Sequence, residues 1–448
     1  MNRRQFLGGG LVGASMVLAG CSTSASVSTT STAPTRRVLR EAGSLPYPDR
    51  PVGADQIPQV EHIVVLMMEN HSFDNLIGLI GRGDGFTRGR DGRPTAANPD
   101  GTGHLVHAFH MPTECQTEGV RNDWTAAHVA YDNGRMNGFV IGSTAEAMGY
   151  FTEDDIPFLC GMAGTFPIAD RYFCSAPAQT DPNRRYLISG TSLGLIDDTF
   201  PLGLPPNGVI YEQFDKHGIT WKDYYSSAPT LGVYLPYLED TNPVSKGVTK
   251  IDQFFVDAAF GHLPSYCLVE PDYGRSSEED PQDIQFGDQF MATVVDALMS
   301  GPDWERTMLI WTYDEHGGYY DHVPPPAAVP PDDIPPDLKP GDPPGGFDRY
   351  GFRVPAGVVS PYAKKDFVSH TVYDHTSILK TVEEKWNLPA LTRRDANAES
   401  LWDMVDLERS PAFLVPPRLP GGPDPAVRAG CLTTGAGIIP PPSAVTSA

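Results

Sequence analysis

Two polar pairs stand at the ends of two similar apolar runs: Glu69-Asn70 after HIVVLMM, and Asp314-Glu315 after TMLIWTY. Three carboxylates and one amide carbonyl make a hard, oxygen-only ligand set, and carboxylates gathered at one place repel unless a cation sits between them. Either pair alone reads as acids that end a strand and face water. Both together, after such similar runs, read as a metal site. A third segment, APAQTDPNRRYLISGTS at 176–192, brings Thr180, Pro182, Asn183 and Arg184 within five residues. Phosphoryl transfer needs an in-line nucleophile and cationic or N–H donors on the equatorial oxygens. Thr180 offers the hydroxyl. Asn183 is a donor for phosphoryl oxygens, and Arg184 either joins it or anchors the loop. On composition alone, the segment is an ordinary turn with a surface arginine.

These residues need elements to gather them. The runs at 62–68, 219–225, 265–269, 307–313 and 354–359 have strand length and are apolar on both faces, as interior parallel strands are. Helical spacing of apolar residues covers 289–300 and 377–387. The class expected is α/β, with ligands collected past the carboxyl ends of the strands. Residues 323–346 (VPPPAAVPPDDIPPDLKPGDPPGG) can neither pair as a central strand nor continue a helix, and read as a long surface loop at the rim of the site. No internal repeat is present.

Composition narrows the function. The chain has 448 residues, 40% of them apolar, enough for a large core in one insertion-rich domain. Gly 45 and Pro 44 fit long loops. A net charge of -23 excludes a nucleic-acid partner and gives no help at an anionic membrane. Arg3-Arg4-Gln5-Phe6-Leu7 followed by an apolar stretch is a twin-arginine export signal, and Leu18-Ala19-Gly20-Cys21 matches a lipobox with Cys21 lipidated. That stretch is far short of the ~20 residues of a spanning helix. The expectation is an exported lipoprotein anchored at the cell envelope or surface. Residues 1–21 form the signal, 22–55 a flexible tether and lead-in, 56–412 the catalytic domain and 413–448 a Pro/Gly-rich extension. Cys115, Cys160, Cys174, Cys267 and Cys431 are an odd set; Cys160 with Cys174 is a possible disulfide, and two buried thiols the alternative.

HIVVLMMENHSFDNLIG, QTDPNRRYLISGTS, WTYDEHGGYYDHVPPP, VSPYAK and YDHTSILKTVEEKWNLPALTRRDANA follow one another in this order. From about residue 60 to about residue 400 the chain thereby resembles the bacterial phosphoesterase family of phosphatidylcholine-type phospholipases C and acid phosphatases. The resemblance implies an alkaline-phosphatase-like fold with a mostly parallel central sheet flanked by helices. It also implies one divalent ion (Ca, Mg or Mn rather than Zn) on Glu69, Asn70, Thr180, Asp314 and Glu315, with Thr180 as nucleophile. Three positions depart from the family pattern: His71 stands in place of arginine, Asn122 in place of histidine, and Glu279-Asp280-Pro281 lacks a histidine. Candidates to fill those gaps are His71, His128, His316, His322 and His375, with His128 and His316 first.

The mechanism expected has two steps: Thr180 attacks phosphorus, then water hydrolyses the phosphothreonine while a histidine such as His128 carries the proton. A phospholipid diester is the first substrate reading. A phosphomonoester, as in acid phosphatases, is the second. A non-catalytic surface binding protein with the same fold is the third, and keeping ligands and nucleophile together argues against it.

Overall fold

The structure, a computed structural model, describes residues 38–115, 120–239 and 241–424. The twin-arginine motif, Cys21, the Ser/Thr-rich 22–36 segment, Cys431 and the end of the tail lie outside the described residues. Strands His62–Met68 (β1), Ile168–Ala169 (β2), Trp221–Tyr225 (β3), Val248–Lys250 (β4), Tyr266–Glu270 (β5), Thr307–Tyr313 (β6), Ala356–Val359 (β7) and Val368–Ser369 (β8) form one 8-stranded sheet. Their order is β8-β2-β7-β6-β1-β5-β3-β4. β6, β1, β5, β3 and β4 run parallel. The two long apolar runs are the central pair β1 and β6, and Ile63 to Met68 and Thr307 to Tyr313 are buried throughout. Burial on both faces is why these runs do not alternate with polar residues.

One strand departs from expectation. Residues 354–359 were read as another parallel strand, yet β7 is antiparallel to both β6 and β2. The chain between β6 and β7 contains neither helix nor strand and never crosses back to the other end of the sheet, so β7 must return in the opposite sense. The proline-rich 323–346 segment occupies that link.

The helices that serve the site are Phe73–Ile77 (α1), Trp124–Tyr131 (α2), Thr180–Ser189 (α3), Ile284–Ser300 (α4) and His375–Trp386 (α5). The expected helices at 289–300 and 377–387 are α4 and α5, each beginning earlier than apolar spacing suggests because an aspartate caps its start. Asp283 accepts from the Gln285 N–H, and Asp374 caps α5. Residues 38–55 are bonded to the domain that follows. Gly43 N–H donates to Ala390 O, Gln56 N–H to Lys385 O, and Lys385 Nζ pairs with Asp55 at 2.7 Å. The tail is held too, since Trp304 Nε1 donates to Phe413 O and Phe413 packs on Phe166.

Cys160 and Cys174 are both free and buried, which corrects the disulfide considered for them. Cys160 sits in the Pro157–Thr165 helix, whereas the Cys174 thiol donates to Ala176 O. Burial raises the Cys160 thiol to about 12. Cys115 is disulfide-bonded. Among the described residues no helix is long and apolar enough to cross a membrane.

Candidate active site

The register of β1 against β6 sets the site. Met68 lies opposite Tyr313, so the two strands release Glu69-Asn70 and Asp314-Glu315 side by side. Asn70 takes a left-handed conformation (φ 68°), which asparagine tolerates better than most residues. Its N–H donates to Asp314 Oδ1 at 3.1 Å. Gly317 is required here, because a Cβ at that position would meet Asn70 O at 1.8 Å. Thr180 is the first residue of α3, not part of a turn, and its hydroxyl donates to Asn70 Oδ1 at 3.3 Å. The positive end of α3 therefore points at the same place as the nucleophile, the arrangement that favours a bound anion. Asn70 is thus joined by hydrogen bonds to both Asp314 and Thr180.

The charge there is one-sided. Arg184 is buried and gives Nε to Asp314 Oδ2 at 3.1 Å and Nη1 to Glu270 at 2.8 Å and Thr230 at 3.0 Å; Glu69 lies 3.6 Å from Nη2. Against this single guanidinium stand Glu69, Asp314, Glu315 and Glu279. Burial raises Glu69 well above the ordinary carboxylate value; Arg184 opposes this, while Asp314 and Glu279 add to it. Burial likewise brings Asp314 to about 7, with Arg184 opposing and Glu315 adding. Glu315 reaches about 8 through burial, against hydrogen bonds from Asn122 and Gly317. Glu279 stands at about 7, from burial and then the charges of Asp314 and Glu315.

Oxygen donors of this kind suit a hard divalent ion. Glu69 Oε2 is buried without a hydrogen-bond partner. Asp314 Oδ1 is filled by the N–H groups of Asn70 and Glu315, but Oδ2 accepts only from Arg184. Glu315 accepts once at each oxygen, from Asn122 Nδ2 (2.7 Å) and Gly317 N–H (2.9 Å). Each acid thus keeps a lone pair for a cation. No His or Cys hydrogen-bonds to these carboxylate oxygens among the described residues.

Asn183 and Arg184, read as phosphoryl contacts, are committed elsewhere. Asn183 is fully buried; its amide donates to the carbonyls of Ala176, Ala178 and Gln179, and its Oδ1 accepts from Ala176 N–H. It shapes the loop before Thr180. Arg184 holds the carboxylates, so both residues act behind the surface that a substrate meets. His316 is sealed between Phe139 and Phe352; its Nδ1 lies 3.1 Å from Glu315 without hydrogen-bond geometry, and burial lowers it to about 3. The ring therefore lies inside the protein, against these two side chains, rather than on an open wall. His128 lies on Trp124, its Nδ1 bonded to the Trp124 carbonyl at 2.7 Å, and it lines a cavity of about 660 Å³ with Pro177, Gly345 and Phe352. The proline-rich loop supplies part of that wall, through Pro325, Pro343 and Pro344.

The other histidines divide. His71 bonds to Asn75 Oδ1 and Glu278 O and stacks on Tyr319, a packing role. His375, at the start of α5, supports the site from behind, with Nε2 2.6 Å from the Asp314 carbonyl. His322 belongs to a separate group with Asp74 and Asp321, whose ligand atoms lie within 4.8 Å of one another and could bind a metal. Arg353 already occupies that group, giving Nε to Asp321 at 2.8 Å and Nη2 to Asp74 at 3.2 Å. Burial opposes the charged form of His322, but Asp74 and Asp321 outweigh it and raise the ring to about 9. Among the described residues this is the group whose spacing could hold a metal ion; the strand-end acids do not meet that spacing.

Sequence reasoning missed Glu279 as an acid of the cluster, and it missed Asp198, which accepts from Asp181 N–H beside Thr180 at 2.8 Å. The signals were present: Glu279 opens the acidic motif noted for its lost histidine, and Asp197-Asp198 follows the Thr180 segment closely.

The model of the Phosphoesterase family matches residues 60–389. Non-specific phospholipase C1 of Arabidopsis thaliana is 30% identical over 397 residues, covering 81% of this chain and 74% of that protein. Phospholipase C A of Mycobacterium tuberculosis is 30% identical over 404 residues, 77% of each. Non-hemolytic phospholipase C of Pseudomonas aeruginosa is 30% identical over 383 residues, covering 74% of this chain; the chain spans only 54% of that relative's length. A solved structure of a protein in the alkaline phosphatase superfamily from Vibrio parahaemolyticus aligns with a TM-score of 0.39 and 9% identity, over 80% of this chain and 72% of that one.

Proposed function

This chain belongs to the Phosphoesterase family and is a hydrolase of phosphoric esters, and on that premise we propose that it cleaves phospholipid diesters in the manner of a phospholipase C, with Thr180 as nucleophile. The observation that carries this is the Thr180 hydroxyl, on the positive end of α3 and 3.3 Å from Asn70 Oδ1, beside a carboxylate cluster short of positive charge.

Glu69, Asn70, Asp314, Glu315 and Thr180 would hold one divalent ion, Ca, Mg or Mn rather than Zn given the oxygen donors. Bound there, the ion would neutralise the carboxylates and polarise the phosphoryl group and the attacking hydroxyl. The remaining roles fall to the chain. Thr180 Oγ forms a bond to phosphorus as the bond to the departing alcohol breaks, the hydroxyl proton passing to that alcohol, and leaves a phosphothreonine that still carries the other ester group. Asn183 fixes the approach of Thr180 by clamping the 176–179 carbonyls. Arg184 and His375 keep Asp314 in place. Water then cleaves the phosphothreonine and regenerates the hydroxyl. His128, with Nδ1 engaged by the Trp124 carbonyl, is the proton carrier we assign to that step through Nε2. Export by the twin-arginine route and a lipid at Cys21 would hold the enzyme at the envelope surface, near such substrates.

Thr180→Ala tests the reading. Turnover should fall on the order of 10³-fold or more, with the fold unchanged. Full activity in that variant would remove Thr180 from the role. Phosphatidylcholine, bis-p-nitrophenyl phosphate and p-nitrophenyl phosphate should separate the substrates; release from the monoester alone would replace the diester reading with a phosphatase.

A further inference from the structure

The segment at 199–209, TFPLGLPPNGV, has no charged residue in a chain of net charge -23. It nevertheless presents its large apolar side chains to solvent: Phe200 is 50% exposed, Leu204 44% and Leu202 109%, as open as in a free peptide. The root of this loop is fixed to the active site. Asp198 accepts from Asp181 N–H, one residue from Thr180, and Arg185 Nη2 donates to Thr199 O at 2.9 Å. The far end is tied by Asn207 Nδ2 to Leu391 O. The proline-rich rim docks on the same root, where Lys339 pairs with Asp197 and Asp337 N–H bonds Gly194 O, and sets the exposed Leu338 beside it. Pro201, Pro205 and Pro206 limit the entropy the tip would lose on being held.

We propose that this loop, with Leu338 beside it, inserts into the apolar layer of a lipid surface and so presents the Thr180 site to phospholipids lying in that surface. The inference rests on the phospholipid reading of the site. An anionic protein gains nothing electrostatically at a membrane, so apolar insertion must supply the contact, and an uncharged tip enters without desolvating an ion. A second copy of the chain fits less well. Three or four side chains on one narrow loop fall far below the ~1,200 Å² of a stable protein interface, whereas a fluid lipid layer closes around such a tip.

The full-length chain carrying Cys21→Ser, so that no attached lipid contributes, is sedimented with uncharged phosphatidylcholine vesicles. The parent should bind, equally in low and high salt. Leu202→Ser should weaken partitioning by about 10- to 100-fold, the effect of losing one buried leucine, and adding Phe200→Ser should weaken it further. Hydrolysis of dissolved bis-p-nitrophenyl phosphate should not change, while hydrolysis in vesicles falls with binding. A parent that ignores vesicles, a Leu202→Ser variant that binds like the parent, or binding abolished by salt would overturn the proposal. So would self-association that Leu202→Ser removes. Because binding is read without turnover, the two readings fail separately. An inactive protein that still binds vesicles loses the hydrolase reading, and an active one indifferent to Leu202→Ser loses this one.

Discussion

The same two strands feed two buried charge clusters, and the clusters are balanced in opposite ways. β1 releases Glu69 and then, through α1, Asp74; β6 releases Asp314-Glu315 and then Asp321-His322. In the second cluster Arg353 bridges Asp74 and Asp321, and His322 is raised to about 9, so positive charge meets negative inside the group. In the first, Arg184 faces Glu69, Asp314 and Glu270 directly, and Glu315 and Glu279 stand near with burial raising both to about 8 and about 7. A balanced cluster needs no further charge, whereas an unbalanced one is eased by protons or a cation, and that contrast is what favours the proposed reactive centre at the first.

The sharpest way to break this contrast is to remove each arginine. Arg184→Met and Arg353→Met each leave buried acids unpaired and should cost about 3–5 kcal/mol. Excess divalent ion should restore thermal stability to Arg184→Met far more than to Arg353→Met; equal restoration would erase the distinction. Asn122→Ala, which frees one oxygen of Glu315 from its 2.7 Å bond, should lower ion affinity about 10- to 100-fold, read by calorimetric titration. His322→Asn should leave that affinity alone.

Chelation gives a pH signature. Asp314 at about 7 and Glu315 at about 8 bind protons in the ion-free fold that the unfolded chain has already released. Stability of the chelated protein should therefore fall as pH rises from the ordinary carboxylate range through about 8. The loaded protein should lack this slope, because the carboxylates are then ionised throughout. Parallel melting curves with and without chelator would contradict the assignment. The smallest effect belongs to His322, 28% exposed in its pair with Asp74. Its raised value means a contribution present in full below about 6.5 and lost as pH climbs through about 9. His322→Asn should flatten that stretch by about 1 kcal/mol after solvent screening.

Much of this was legible in the residues. β1 and β6 announced themselves as continuous apolar runs, and the polar pairs after them could be assigned to strand ends by inspection. Their pairing could not, since the register that sets Met68 beside Tyr313 is a property of the sheet. The direction of β7 was misread because an apolar run carries no sign of which way it lies. Asn183 and Arg184 looked like substrate contacts because donor chemistry is the same whether a side chain faces a ligand or a backbone. His316 looked reactive because sequence does not show that Phe139 and Phe352 close over it.

By itself, the sequence determined which groups are available: an oxygen-rich ligand set, a hydroxyl four residues before an arginine, an acidic net charge, and long stiff loops. Those follow from residue type and local spacing, which act over a few bonds. Only the tertiary structure decided which acids are balanced and which are not, which histidine is shut away, and which apolar loop stands in the open beside the nucleophile. Coulomb interactions, burial and exposure depend on distances between segments up to hundreds of residues apart, and folding sets those distances.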